Sequence, residues 1–164
     1  MLATVFVALC LLVLLLVANG MPVLLRRLLG RRYAMPIDGG RLWRDGRPIL
    51  GSSKTWRGLF GGSLGCGFAA QILGQGFLFG AAFGLLALLG DLFSSFCKRR
   101  LGLGSSARAT VLDQLPEALL PMLLAVIWLD VGWLVLVVVS LAFMLVDILV
   151  SPFLHRLGIR HQPH

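Results

Sequence analysis

The chain has 164 residues, of which 58% are hydrophobic and 13% charged, and its formal net charge is +8. Its mean hydropathy of +0.91 lies far outside the range of soluble globular proteins, so composition excludes that class. The length suits one domain, 1–164. The cysteines lie in apolar runs without metal-type spacing, and we interpret them as small hydrophobic residues rather than disulfide partners: Cys10, Cys66 and Cys97.

The cations are unevenly distributed along the chain. All fifteen Lys and Arg residues fall in three short stretches, 26–57, 98–108 and 156–160. One threading through a bilayer puts every cation on the same side, which the positive-inside rule identifies as cytoplasmic. Because membrane segments interrupt the cations, we expect no nucleic-acid partner. Anionic lipid headgroups and phosphorylated small molecules are the expected partners.

Five apolar segments predict an all-α integral membrane protein. A helix needs roughly 20 mostly apolar residues to cross a bilayer. The segments are Leu2–Leu25, Leu59–Leu73, Phe77–Phe96, Leu115–Leu129 and Gly132–Leu154. The prediction is five transmembrane helices in the cell (inner) membrane, with the N-terminus outside and the C-terminus inside. Two polar loops, 26–57 and 97–114, are then cytoplasmic.

The first segment has an alternative interpretation as a signal peptide, since Ala18-Asn19-Gly20 offers small residues at a cleavage-like spacing. A positively charged region before the apolar run is missing, and Arg26 and Arg27 follow the run instead. This order favours an uncleaved first helix with its N-terminus outside.

Glycines recur at four-residue intervals in the second and third segments. Small residues at this spacing let helix backbones approach closely in lipid. We therefore expect the two arms of this hairpin, which turns at 74–76, to pack tightly. The pairs are Gly58/Gly62, Gly61/Gly65, Gly76/Gly80 and Gly80/Gly84.

The first polar loop is dense in groups that bind phosphate. Glycines let backbone N–H groups approach an oxyanion, hydroxyls donate to it, and Lys or Arg supplies charge. The run Gly51-Ser52-Ser53-Lys54-Thr55 leads directly into a helix, whose N-terminus itself favours anions. We predict phosphate binding here. The alternative is an ordinary positive loop that touches lipid headgroups.

Carboxylates flank the second polar loop. Asp91 lies about two turns before the cluster Lys98–Arg100. An ionisable side chain there is costly unless paired or hydrated, which makes it a functional candidate. Asp113 and Glu117 stand at the start of the fourth helix. Carboxylates that converge beside phosphate-binding cations suit Mg²⁺. The alternative is that both aspartates only pair with cations of this loop.

Five motifs run in order from the first helix into the fourth. They are Asn19-x-x-Pro22, Pro36-Ile37-Asp38-Gly39-Gly40, Asp45-Gly46-Arg47-x-x-Leu50-Gly51-x-x-Lys54-Thr55-Trp56-Arg57-Gly58, Gly90-Asp91-x-x-x-Ser95-Phe96-x-Lys98-Arg99-Arg100-x-Gly102 and Leu112-Asp113-Gln114-Leu115-Pro116. Together they resemble the CDP-archaeol synthase family, the small membrane CTP transferases of ether-lipid synthesis. A weaker similarity is to CDP-diacylglycerol synthase, whose Lys-Thr-x-x-Gly, Gly-Asp, Lys-Arg and Leu-Asp elements occur in similar order.

The resemblance implies Mg²⁺-dependent transfer of CMP from CTP to a lipid phosphate at the cytoplasmic membrane interface, giving a CDP-activated lipid and pyrophosphate. It implies that Asp91 and Asp113 hold the metal and that Lys98 is the third catalytic residue. The residues expected to bind CTP or its phosphates are Asp38, Gly51, Ser53, Lys54, Thr55, Arg57 and Arg99.

Two other functional classes are open to this sequence. A non-catalytic integral membrane protein, such as a lipid-binding scaffold with a basic cytoplasmic face, explains the charge pattern but not the clustered Asp, Lys and Asp-Gly elements. A transporter would suit Asp147, which lies deep in the last helix and either pairs with a loop cation or lines a cavity. The sequence does not decide the acceptor lipid (archaeol-type or diacyl), the nucleotide preference or the oligomeric state.

Overall fold

A computed structural model describes residues 2–103 and 110–156, with side chains for 2–103 and 114–149. Within these ranges the regular structure is helical, apart from two isolated β-bridges in the first loop. The prediction of five helices is therefore confirmed. They are α1 (Leu2–Leu29), α2 (Trp56–Ile72), α3 (Phe77–Arg100), α4 (Thr110–Leu129) and α5 (Trp133–Arg156).

Two of these helices, α1 with 28 residues and α3 with 24, are long and apolar enough to cross a membrane. The other three are shorter in their apolar parts. α2 has 17 residues, and the apolar stretches found in α4 and α5 are Gln114–Leu129 and Trp133–Leu149. The number of crossings thus stays a prediction.

The helices alternate in direction, so that the end of each odd-numbered helix lies beside the start of an even-numbered one. Contacts at one end, which we call the polar end, are Arg57 with Gly30, Lys54 with Asp91, Gly90 with Pro116, and Gln114 with Asp147. At the opposite end, Asp130 is the only charged residue among those the structure describes. The alternation gathers the described loop cations at the polar end.

Each of the five helices extends beyond its predicted limits at one end, and α1 and α4 are two examples. α1 continues to Leu29 and has Arg26 and Arg27 in its last turn, because arginine is a good helix former and a cation suits the negative end of the helix dipole. α4 begins at Thr110, five residues earlier than predicted. In both cases the apolar run is shorter than the helix that carries it.

Close backbone contacts between α2 and α3 confirm the expected packing at Gly80 and Gly84, whereas Gly61 and Gly65 pack against α1. A Cβ atom added at Gly80 would lie 2.2 Å from the Ala70 Cβ and 2.4 Å from the Cys66 carbonyl oxygen, and one at Gly84 would lie 2.6 Å from the Cys66 Cβ. Any side chain at these positions would force the helices apart. The packed core continues into the other helices through Leu11, Leu14, Leu15, Met122 and Phe143.

Candidate active site

The first polar loop folds back on itself between α1 and α2. One antiparallel bridge joins Pro36 to Thr55, and a second joins Leu42 to Pro48. Each is supported by backbone hydrogen bonds, such as the Ile37 N–H to the Lys54 carbonyl at 2.9 Å. The loop therefore has a fixed shape, and this shape sets the position of Lys54.

Asp38 organises this loop through its carboxylate. Its Oδ2 accepts hydrogen bonds from the backbone N–H groups of Leu50 and Gly51, both at 2.9 Å, and its Oδ1 accepts one from Gly40 at 3.0 Å. Burial raises the pKa of the Asp38 carboxyl, but the three donors outweigh this effect and the pKa is lowered. Asp38 thus stabilises the turn at residues 50–51 through these hydrogen bonds.

We expect Asp38→Asn to loosen the loop, because an amide group can no longer accept all three backbone donors. The amides of Leu50 and Gly51 should lose about tenfold or more of their hydrogen-exchange protection. A lowered pKa means that this stabilisation is present above the ordinary carboxyl pKa and is lost only as pH falls through the lower folded-state value. Wild-type protection, corrected for intrinsic exchange, should therefore be constant from about pH 5 to pH 8. Unchanged protection in Asp38→Asn would contradict the assignment.

Lys54 and Asp91 form an ion pair at the polar end. The Lys54 Nζ lies 2.7 Å from the Asp91 Oδ1 and 2.6 Å from its Oδ2. The two side chains are 22% and 30% exposed, respectively, so both groups are within reach of a solute. The first polar loop, which the sequence predicts to bind phosphate, and the α3 carboxylate, which it predicts to bind a metal, are therefore in direct contact.

The start of α2 lies directly beside this pair. Thr55 is the N-cap, and its Oγ1 accepts a hydrogen bond from the Gly58 N–H at 3.2 Å, which satisfies one of the free donors at the helix start. Ser53 is exposed. Hydroxyls, backbone N–H groups and an ammonium therefore cluster at a helix N-terminus, an arrangement that favours anions.

An open pocket of about 330 Å³ adjoins this cluster. Arg99 lies in its wall and donates to the Leu103 carbonyl at 2.7 Å and to the Leu50 carbonyl at 3.4 Å. Gly51, at φ 99°, packs beside the same guanidinium. Two guanidinium groups in one wall suit a polyanion. The lining residues are Arg47, Pro48, Gly51, Ser52, Arg99, Gly102 and Leu103.

Arg100 fastens the first loop to the end of α3. Its Nη1 pairs with the Asp45 carboxylate and its Nη2 donates to the Pro48 carbonyl at 2.6 Å. The guanidinium also lies over the rings of Trp43 and Phe96, at 5.8 and 5.2 Å from their centroids. Sequence reasoning assigned no role to Asp45 or Arg47. The Asp45-Gly46-Arg47 motif is the sequence feature that could have indicated a role for these two residues.

Two residues predicted to belong to the site, Arg57 and Lys98, interact with other parts of the protein. Arg57 donates to the backbone carbonyls of Gly30 and Arg32 just beyond α1, which ties α1 to α2. Lys98 is only 8% exposed and is engaged in a polar or electrostatic interaction. Buried cations of this kind require partners.

The carboxylate from α4 is the remaining part of the predicted site. Asp113 lies in the first turn of α4, and its side chain is outside the described residues. Gly90, next to Asp91, packs against that helix: an added Cβ would lie 2.4 Å from the Pro116 carbonyl oxygen and 2.7 Å from the Glu117 Cα. The backbone thus brings the start of α4 beside Asp91.

The described residues contain no group of three or more His, Cys, Asp or Glu side chains placed to hold a metal. Mg²⁺ commonly takes only one or two protein carboxylates and completes its shell with phosphate oxygens and water. The accessible carboxylate of Asp91, with an α4 backbone carrying Asp113 beside it, fits this donor set.

Comparison with known proteins identifies the family. A family model described as CarS-like CDP-archaeol synthase matches residues 72–164. The CDP-archaeol synthase of Thermococcus onnurineus is 40% identical over 84% of this chain and 79% of its own length. The chain belongs to the CDP-archaeol synthase family. The resemblance inferred from the five motifs is confirmed.

Other relatives agree with this family assignment. The CDP-archaeol synthase of Hyperthermus butylicus is 42% identical over 61% of this chain, and the match spans 60% of that relative's length. A solved structure described as an intramembrane enzyme for archaeal membrane lipid biosynthesis is 31% identical, covers 85% of this chain and 89% of its own, and has a TM-score of 0.68. The similarity to an intramembrane enzyme, together with the membrane-length helices α1 and α3, indicates that the chain is a membrane protein.

Proposed function

We propose that the protein transfers CMP from CTP to a lipid phosphate, giving a CDP-activated lipid and pyrophosphate. The observation that carries this proposal is the contact between Lys54 and Asp91 at distances of 2.6 and 2.7 Å. It joins a loop suited to phosphate with a carboxylate suited to a metal, in a member of the CDP-archaeol synthase family. A scaffold protein would need neither group.

The proposed reaction is an in-line displacement. An oxygen of the lipid phosphate attacks the α-phosphorus of CTP, a new P–O bond forms, and the bond to the bridging oxygen breaks as pyrophosphate leaves. Such phosphoryl chemistry needs positioning and charge neutralisation more than covalent help. Lys54, Lys98 and Arg99 supply positive charge, and Ser53 supplies a hydroxyl donor. Gly51, whose N–H donates to Asp38, forms the turn beside Arg99.

Mg²⁺ would be held by Asp91 and Asp113, and when bound it would neutralise charge on the triphosphate. The chain's own residues do the rest. Arg99 and Arg47 form the cationic wall of the adjoining pocket, while Asp38 keeps the 50–51 turn in shape. The flexible stem of Lys54 lets its ammonium move from Asp91 to a phosphate.

The proposed topology has five crossings, with the N-terminus outside and the polar end in the cytoplasm. Its support is the alternation of the helices, which gathers the described cations at one end, together with the positive-inside rule. In this orientation the site faces cytoplasmic CTP, and the acceptor presents its phosphate at the inner surface of the cell membrane while its tails remain in lipid.

The test is an assay with purified protein, Mg²⁺ and CTP labelled at the α-phosphate. Lipid phosphates with isoprenoid ether chains and with diacyl chains would be offered separately, and the lipid fraction extracted. We expect label in the lipid fraction and equimolar pyrophosphate, with less product from ATP, GTP or UTP. Absence of labelled lipid with every acceptor would reject the proposal.

A further inference from the structure

A hydrogen bond between two side chains joins α4 to α5 near the polar end. The Gln114 Nε2 donates to the Asp147 Oδ2 at 2.8 Å. Gln114 is only 4% exposed, and Asp147 is the only charged residue among the described side chains of α5. An ionisable group in an apolar helix is costly, which makes a functional role the default hypothesis.

The orientation of the Gln114 amide is set by this bond. Asp147 presents a carboxylate oxygen, so Gln114 must turn its NH₂ group towards it. The Gln114 Oε1 is buried and has no hydrogen-bond partner within the described part of the chain. Asp147 is thus the contact that fixes the Gln114 side chain in a single arrangement.

The first turns of α4 are weakly held by their own helix. The first four N–H groups of any helix lack partners within it. Pro116 lies in α4 and has no N–H, so the Leu112 carbonyl also loses its usual helical donor. Contacts with neighbouring helices must therefore hold this segment in place.

Two such contacts are present. Gly90 of α3 packs against the backbone of Pro116 and Glu117, and Asp147 of α5 accepts from Gln114. The first fixes the distance between α4 and α3. The second fixes α4 relative to α5 at the residue that directly follows Asp113.

We propose that Asp147 is a positioning residue for the transfer reaction: through Gln114 it holds the start of α4, and with it Asp113, where Asp113 and Asp91 share one Mg²⁺. This inference rests on the proposed function. It gives α5, which contributes no residue of the predicted site, a part in building the metal site.

The test compares Asp147→Leu, Asp147→Asn and Gln114→Leu in the purified full chain. Leucine suits an apolar helix but removes the bond, whereas asparagine keeps an acceptor for the Gln114 amide. The readouts are the Mg²⁺ concentration that gives half-maximal CTP binding, Mn²⁺ binding without nucleotide by electron paramagnetic resonance, and the thermal midpoint. Ser140→Ala, two turns away on the same face of α5, is the matched control.

We expect either leucine variant to raise the metal requirement about 10- to 100-fold, as loss of an outer-shell support does. A double variant that combines Asp147→Leu with Gln114→Leu should be no worse than either single variant, because both substitutions remove the same bond. Asp147→Asn and Ser140→Ala should stay within about threefold of the wild type. A shift in the thermal midpoint alone, or additive effects, would overturn the positioning role. Wild-type protein without Mg²⁺-dependent CTP binding would reject the proposed function as well.

Discussion

Asp91→Asn is expected to lower the rate of CDP-lipid formation by about a thousandfold or more. Asparagine has the same shape and still accepts a hydrogen bond from Lys54, but it carries no charge to hold Mg²⁺ beside the triphosphate. The measurement is a single-turnover assay with α-labelled CTP at saturating Mg²⁺. The same loss is expected for Asp113→Asn, since the two carboxylates are proposed to share the metal.

The matched control for Asp91→Asn is Asp130→Asn. Asp130 lies in the link between α4 and α5 at the opposite end, with φ 51°, and asparagine tolerates this left-handed conformation well. Its activity should match the wild type. An Asp91→Asn protein that retained more than about a tenth of wild-type activity, and was correctly folded, would remove Asp91 from the metal site.

Lys54→Met should change the binding of two ligands in opposite directions. In the structure the Lys54 ammonium contacts both oxygens of the Asp91 carboxylate, so it competes with any metal for that group. Its removal should tighten Mn²⁺ binding without nucleotide by up to about fivefold, the value of a partly exposed ion pair. CTP binding should weaken by about a hundredfold, because a phosphate-binding charge is lost.

Electron paramagnetic resonance of Mn²⁺ and equilibrium binding of labelled CTP would measure the two effects of Lys54→Met separately. Arg44→Gln is the matched control, because it removes one positive charge from an exposed position of the same loop. It should leave Mn²⁺ binding unchanged. Parallel weakening of Mn²⁺ and CTP binding by Lys54→Met would show that the lysine supports the fold rather than exchanging partners.

The number and order of the helices could be predicted because long apolar runs separate short charged ones. Hydropathy identifies apolar residues but not the hydrogen bonds that begin or end a helix. The predicted helix ends therefore differ from the observed ones. α2 begins at Trp56, three residues before its apolar run, because Thr55 caps it. α1 continues through Arg26 and Arg27 because charged residues are compatible with a helix beyond the apolar run.

The meeting of Lys54 with Asp91 was predictable from the alternation of two consecutive helices. The role of Asp38 was not, because its donors Leu50 and Gly51 lie 12 and 13 residues away. These donors reach Asp38 only because the loop turns at glycines with positive φ angles: Gly39, Gly40, Gly46 and Gly51. Glycines at these positions are compatible with several courses of the loop backbone. A sequence motif identifies the residues of such a loop but does not determine the course of its backbone.

The bond between Gln114 and Asp147 was also beyond sequence reasoning. Which face of a helix meets its neighbour is inferred from the periodicity of its apolar residues. α5 is apolar on nearly every side, so its sequence gives little information about its rotation. Two interpretations of Asp147 therefore stood open, pairing with a loop cation or lining a cavity, and nothing in the sequence indicated the hydrogen bond that it accepts from Gln114.

The hairpin of α2 and α3 has a consequence for biosynthesis. Lys54 directly precedes its first arm and Asp91 lies on its second, so the anion-binding half of the site is assembled from residues that leave the ribosome before α4 and α5. The carboxylate of α4 and the support from α5 are added later in translation. A nascent chain that lacks α4 and α5 would hold Lys54 against Asp91 but would consume no nucleotide, so the proposed activity begins only once α4 and α5 are in place.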